Sequence, residues 1–233
     1  MFDGLENAGS EARCTGEFIG RFSLAAQKDL LSLATASLYP AGHVLFAEKQ
    51  EPRGVYVVME GDVKLSINSS DGHRLSMRVA RKGEILGLSS TLSGSPYEVT
   101  AEVLYPSKIA PIGRREFMGF LLRHPDAYQT VSEELTREFT MACEQLRMVA
   151  LASSAPEKLA RLLLEWSKNG QAVEDGAKFR FSFTHEEVGE FIGASRETVT
   201  RTLTAFKNRQ LVTFSGSTLT IPNKNALANF ARC

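Results

Sequence analysis

Thr184-His185-Glu186-Glu187-Val188-Gly189-Glu190-Phe191-Ile192-Gly193-Ala194-Ser195-Arg196-Glu197-Thr198-Val199-Thr200-Arg201-Thr202-Leu203-Thr204-Ala205-Phe206 is the stretch that decides how this 233-residue chain is read. Thr184 followed three residues later by Glu187 is a capping box, a helix start in which each residue satisfies the other's main-chain N–H. Val188, Phe191 and Ile192 give that helix one apolar face. Gly193 permits a tight turn, and Ser195 can cap a second helix over 196–208. At 100° per residue, Val199, Leu203 and Phe206 fall on one side of this second helix. Arg196, Glu197, Thr200 and Arg201 fall on another arc. Two helices joined by so short a turn form a helix-turn-helix, whose second helix enters the DNA major groove through its first turns. Arginine matches guanine O6 and N7 with two hydrogen bonds, and glutamate accepts from cytosine N4. The base-reading set is therefore Arg196, Glu197, Thr200 and Arg201. Thr184, Ser195, Thr198, Lys207 and Ser217 are the expected phosphate contacts. A solvated helix face with a Glu197–Arg201 pair is the competing reading.

Charge supports the first reading. The chain has 27 Lys and Arg against 27 Asp and Glu, which excludes a globally basic, histone-like protein. Residues 1–152 carry 16 basic against 19 acidic residues, and residues 153–233 carry 11 against 8. From Arg196 onward, six basic residues meet one acid, Glu197. The positive end is the one that holds the helix-turn-helix.

Downstream, residues 211–221 (LVTFSGSTLTI) have the pattern of a hairpin with Ser215-Gly216-Ser217 at its tip. Upstream, FRFSF reads as a strand and EKLARLLLEWSKNG as an amphipathic helix stopped by Gly170. Ser153-Ser154-Ala155-Pro156 is the expected hinge. Before it, Pro125 opens a long helix to residue 152. Tyr128, Leu135, Ala142 and Val149 recur every seven residues, with Val131, Phe139 and Leu146 three or four residues from them. This is the pattern of a two-helix dimer seam. An ordinary core helix is the alternative.

From His43 to Ile112 the period falls to two. Short runs (VLF, GVYVVMEG, VKLSIN, RLSMRVA, YEVTAEV, KIAPI) are separated by Gly, Pro, Asp and Ser, the signature of a sandwich or roll. Residues 17–37 have helical spacing, with Ser23 as an N-cap, and residues 1–16 form a polar arm. The fold class expected is α+β: an N-terminal β-roll over 17–124, a dimerisation helix over 125–152, a hinge at 153–156 and a C-terminal winged helix-turn-helix over 157–233.

The runs Thr184–Gly189 and Gly193–Arg201 resemble the winged helix-turn-helix of the CRP/FNR regulators, the catabolite activator protein family. Gly42, Glu60-Gly61, Gly83 and Gly87 resemble that family's cyclic-nucleotide-binding roll. The resemblance implies a homodimer joined along the long helix, a palindromic TGTGA-like site, a hairpin touching phosphates, and RNA polymerase as partner if the protein activates. It also maps an effector pocket onto Gly87, Leu88, Ser89, Ser90, Tyr97 and Glu98, with Ala142 and Cys143 from the long helix. Family members that hold cyclic AMP use a glutamate after the roll glycine and an Arg-Ser pair. Here Leu88 and Tyr97-Glu98 stand there. Cyclic AMP in the usual mode is therefore disfavoured, and the expected effector is an unknown small molecule. A constitutive DNA binder that has lost ligand binding is the alternative.

No cofactor, metal site or catalytic residue is expected. Cys14, Cys143 and Cys233 are too scattered for a disulfide framework or an iron–sulfur cluster. No spacing favours haem ligation by His73, Met77 or Cys143. The N-terminus lacks an apolar run and nothing reaches the roughly 20 apolar residues of a membrane helix, so a cytoplasmic protein without membrane contact is expected.

Overall fold

In a computed structural model of the chain, the described residues are 18–151, 154–168 and 170–230. The proposed arm, Cys14, Cys233 and Ser153 lie outside them. By contacts the chain divides into two compact units, one running to Thr140 without Arg74–Ser76, the other from Met141 onward. The division falls inside the long helix, not at the expected hinge.

The first unit opens with a 3-10 turn, Ile19–Arg21, and helix α1, Leu24–Leu33. The Ser23 hydroxyl accepts from the Ala26 N–H, so the expected cap is correct, but the helix starts seven residues later than the spacing suggested. Ser37, expected to end that helix, instead opens strand β1, Ser37–Tyr39, which pairs with the last strand of this unit. The strands that follow are β2 (Val44–Phe46), β3 (Gly54–Glu60), β4 (Asp62–Asn68), β5 (Arg74–Arg81), β6 (Ile85–Leu86), β7 (Thr100–Val103) and β8 (Ser107–Gly113). They form two antiparallel four-stranded sheets, ordered β1-β8-β3-β6 and β2-β7-β4-β5. A short helix that the strand pattern does not suggest, α2 (Leu88–Ser93), stands between β6 and β7. Helices α3 (Arg114–Arg123) and α4 (Pro125–Leu151) complete the unit and lead out of it.

Strand alternation builds two cores from β3. Val55 and Val57 join Leu30, Ile112, Phe117, Phe120 and Val131 under the helices. Val58 joins Phe46, Val63, Leu86, Tyr97, Val103 and Ile109 between the sheets. Val131 is only 1% exposed. It belongs to the roll core, which corrects its place in the seam: the first turns of α4 use that side to cover the sheet. Leu135 also leans on this core. The solvent side of α4 includes exposed apolar residues: Tyr128, Phe139 (71% exposed), Ala142, Leu146 (66%) and Leu151. An ion-pair network ties α4 to the roll. Arg78 pairs with Glu84 and Glu138, and Arg137 with Glu134 and Glu84. Burial raises the Glu138 carboxyl above the ordinary glutamate range; Arg78 opposes that shift, while Glu134 and Glu84 add to it.

The second unit contains the tail of α4, then α5 (Ala155–Ser167), β9 (Gln171–Val173), β10 (Gly176–Arg180), α6 (His185–Ile192), α7 (Arg196–Asn208), β11 (Thr213–Ser215), β12 (Thr218–Ile221) and α8 (Lys224–Phe230). Ser154 caps α5, and Ala155-Pro156, expected to belong to the hinge, form its first turn. Helix α5 ends at Ser167, capped by Lys168, and a Cβ on Gly170 would stand 2.8 Å from the Lys178 carbonyl oxygen. The FRFSF strand lies three residues earlier, as β10, and α8 has no counterpart in the sequence reading. Sheet order is β11-β12-β10-β9. Val149 is half-buried beside Gly193, and its carbonyl accepts from Lys158 Nζ, so it serves this unit's packing and not the exposed stripe.

Candidate nucleic-acid interface

Helix α6 begins with the expected reciprocal cap. Thr184 Oγ1 accepts from the Glu187 N–H at 3.2 Å, and Glu187 Oε2 accepts from the Thr184 N–H at 2.8 Å. The helix ends at Gly193, whose φ of +61° is the left-handed conformation that favours glycine. Ser195 Oγ then accepts from the Thr198 N–H and starts α7 two residues after α6 stops.

Helix α7 divides by face as its sequence requires. Val199, Leu203 and Phe206 are buried, while Arg196, Glu197, Thr200, Arg201 and Lys207 are exposed. Behind it, Trp166 of α5 meets Phe191 edge-on at 5.3 Å, and Leu219 of β12 is fully buried. The helix is thus seated by its apolar flank, with two guanidiniums, a carboxylate and a hydroxyl exposed on the other. Hydrogen bonds from its own main-chain N–H and from the Ser195 hydroxyl, helped by Arg196 and Arg201, hold the Glu197 carboxyl below its usual range. It is therefore an anion, an acceptor only, at neutral pH. Arg201 Nη2 lies 3.4 Å from Thr198 Oγ1. Ser217 is exposed at the β11–β12 tip, where its carbonyl accepts from the Phe181 N–H.

One side-chain contact of α7 escaped the sequence reading. His185 Nδ1 lies 2.7 Å from Thr200 Oγ1, and that hydroxyl also donates to the Arg196 carbonyl at 2.9 Å. Residues fifteen apart on different helices share no period, so only the folded turn reveals the pair.

Of the roll positions matched to an effector pocket, Ser89 and Glu98 are exposed and Ser90 is buried. Leu88 and Tyr97 are core residues, 1% and 2% exposed. Tyr97 stacks on Phe46 with centroids 4.0 Å apart and its hydroxyl donates to the Gly54 carbonyl at 2.6 Å. Gly87 has a φ of +78°, and a Cβ there would stand 2.9 Å from the Tyr97 ring. Ser89 and Ser90 donate to the Glu98 carboxylate at 2.7 and 2.6 Å. On α4, Ala142 is exposed and Cys143 half-buried. No group of three or more metal-binding side chains occurs among the described residues, and no helix there is long and apolar enough to cross a membrane.

Comparison with known proteins agrees with both halves. Residues 157–230 match the Crp-like helix-turn-helix domain, and residues 37–124 the cyclic nucleotide-binding domain. A CRP-like cAMP-activated global transcriptional regulator of Mycobacterium tuberculosis is 24% identical over 195 residues, 83% of this chain and 87% of the relative. Among solved structures, FixK2 from Bradyrhizobium japonicum aligns with a TM-score of 0.75 at 22% identity, over 84% of this chain and 96% of that one. The c-di-GMP-responsive regulator CLP of Xanthomonas campestris aligns with a TM-score of 0.72 at 18% identity, over 85% and 99%.

Proposed function

Since the chain belongs to the CRP/FNR family of DNA-binding transcriptional regulators, and not to a family of enzymes, we propose that it binds a palindromic TGTGA-like site as a homodimer and answers to an effector other than cyclic AMP held in the usual mode. One observation carries the DNA half of this reading: Arg196, Glu197, Thr200 and Arg201 stand together on the exposed flank of α7, whose other flank is sealed by Val199, Leu203 and Phe206. Arg196 and Arg201 read guanines, Glu197 accepts from a cytosine amino group and Thr200 supplies a hydroxyl. Thr184, Ser195, Thr198, Lys207 and Ser217 hold phosphates and fix the register. Tyr128, Phe139, Ala142 and Leu146 supply the seam, with Leu135 at its edge. If the protein activates, RNA polymerase is the partner it engages at promoters. A band shift with a TGTGA palindrome tests the reading: a dimer-sized complex is expected, with at least a hundredfold preference over a scrambled duplex. Equal affinity for both would overturn it.

The Glu98 carboxylate supports a second reading, in which the protein binds DNA with no effector. It already occupies the Ser89 and Ser90 hydroxyls that an incoming phosphate would use, and it would repel that phosphate. The M. tuberculosis relative is described as cAMP-activated; here cyclic AMP should not stabilise the protein. A thermal-shift screen separates the two readings. Stabilisation by a metabolite favours the effector-gated form, and full-affinity DNA binding without any additive favours the constitutive one.

A further inference from the structure

The sheet of the second unit has a surface that the helix-turn-helix reading does not use. In β10, Ala177 and Phe179 point inward, and Lys178 and Arg180, one step out of phase with them, point to solvent. Register extends that outer face. Lys178 is opposite Thr220 and Arg180 opposite Thr218 on β12, and those two threonines are opposite Thr213 and Ser215 on β11. The face is thus two cations followed by four hydroxyls. The acids of this sheet, Glu174 and Asp175, are confined to the β9–β10 turn, at the end away from the hairpin tip. Arg180 is next to that tip: the following residue, Phe181, donates its N–H to the Ser217 carbonyl at 2.7 Å, and Arg180 Nε donates to Ser182 Oγ.

We propose that this outer sheet face is a second, sequence-independent DNA contact, which carries the phosphate track from the Ser217 tip along β10 to the duplex flanking each half-site. The proposal rests on the DNA-binding reading above and adds to it a surface and two residues, Lys178 and Arg180. Two chemical features fit a phosphodiester strand. Cations two residues apart on an extended strand are about 6.8 Å apart, close enough to meet neighbouring phosphates of one strand. The hydroxyl rows can donate to phosphate oxygens and bring no charge that would repel them.

The test uses the full-length protein and fluorescence anisotropy over a salt series. Two duplexes are used, one cut back to a pair of TGTGA half-sites and one extended by about 10 bp, a helical turn, on each side. Lys178→Gln with Arg180→Gln should reduce the slope of log K against log salt on the extended duplex by about 3.6, four contacts per dimer at roughly 0.9 each, with base preference unchanged. Wild-type protein should show a similar loss when the flanks are removed, which keeps the proposal testable even if the double variant does not fold. An unchanged slope in a folded variant, or identical wild-type slopes on both duplexes, would overturn the sheet contact while leaving the helix-turn-helix reading intact. A loss of base preference instead of salt slope would also overturn it. Failure of the wild type to bind either duplex removes both readings.

Discussion

Arg196 and Glu138 bear on two different equilibria, one with DNA and one with solvent protons. Arg196 is exposed at the start of α7 and has its long side chain available to a guanine edge. Arg196→Ala should weaken binding to the specific duplex by roughly 1–3 kcal/mol and relax the preference at one base pair. Competition titrations against all four bases at that pair measure this, and uniform weakening on every duplex would assign Arg196 to a phosphate instead. Glu138 belongs to folding. Its carboxyl is raised in the folded chain, mainly by burial, so the folded state binds that proton more tightly than the unfolded one. Its contribution is fully favourable below the ordinary glutamate value of about 4.5 and is lost as pH rises through the raised folded value. Glu138→Gln should therefore gain stability relative to the wild type as pH goes from 4 to 7.5. Urea unfolding at both ends of that range checks it, and a difference that stays flat with pH would show that the carboxyl titrates normally.

Helix α4 is the element where sequence and structure differ most usefully. Its heptad spacing is real, but α4 packs against the roll on one side and leaves a stripe on the other, and a period of seven cannot say which apolar residue serves which side. Val131 and Val149 went to packing, and Tyr128, Phe139, Ala142 and Leu146 stayed outside. Phe139→Asp with Leu146→Asp should give monomers in sedimentation velocity with the roll's melting unchanged. Val131→Ala should do the reverse, costing about 2 kcal/mol of stability and sparing self-association. Matching losses in both variants would mean that the two faces are not separable. The helix-turn-helix was legible to within a residue because each of its signals is local: a cap, a turn glycine and a 3.6-residue period. Helix α2, the internal fate of Tyr97 and the His185–Thr200 pair were not legible. Each depends on residues brought together from distant parts of the chain, as Tyr97 is with Phe46 and Gly54.

At the scale of the whole molecule, the fold class and the two-part organisation followed from the change of period along the chain, while the boundary did not. The contact division falls at Thr140/Met141, within a helix that runs unbroken from Pro125 to Leu151. A continuous helix gives no punctuation to read, so the sequence placed the border at the next Ser-Ser-Ala-Pro. The uncovered side of that helix has one more result. Phe139 and Leu146 are each about two-thirds or more in water in the single chain, a state that self-association relieves. The melting temperature should then climb with protein concentration over a hundredfold dilution series, by mass action; a constant value would mean the stripe stays wet. In a cell this makes abundance a setting of its own. Copies made sparingly would linger as sticky singletons open to proteases, and copies made in quantity would protect one another, so the level of synthesis would set the lifetime of the regulator as well as its occupancy.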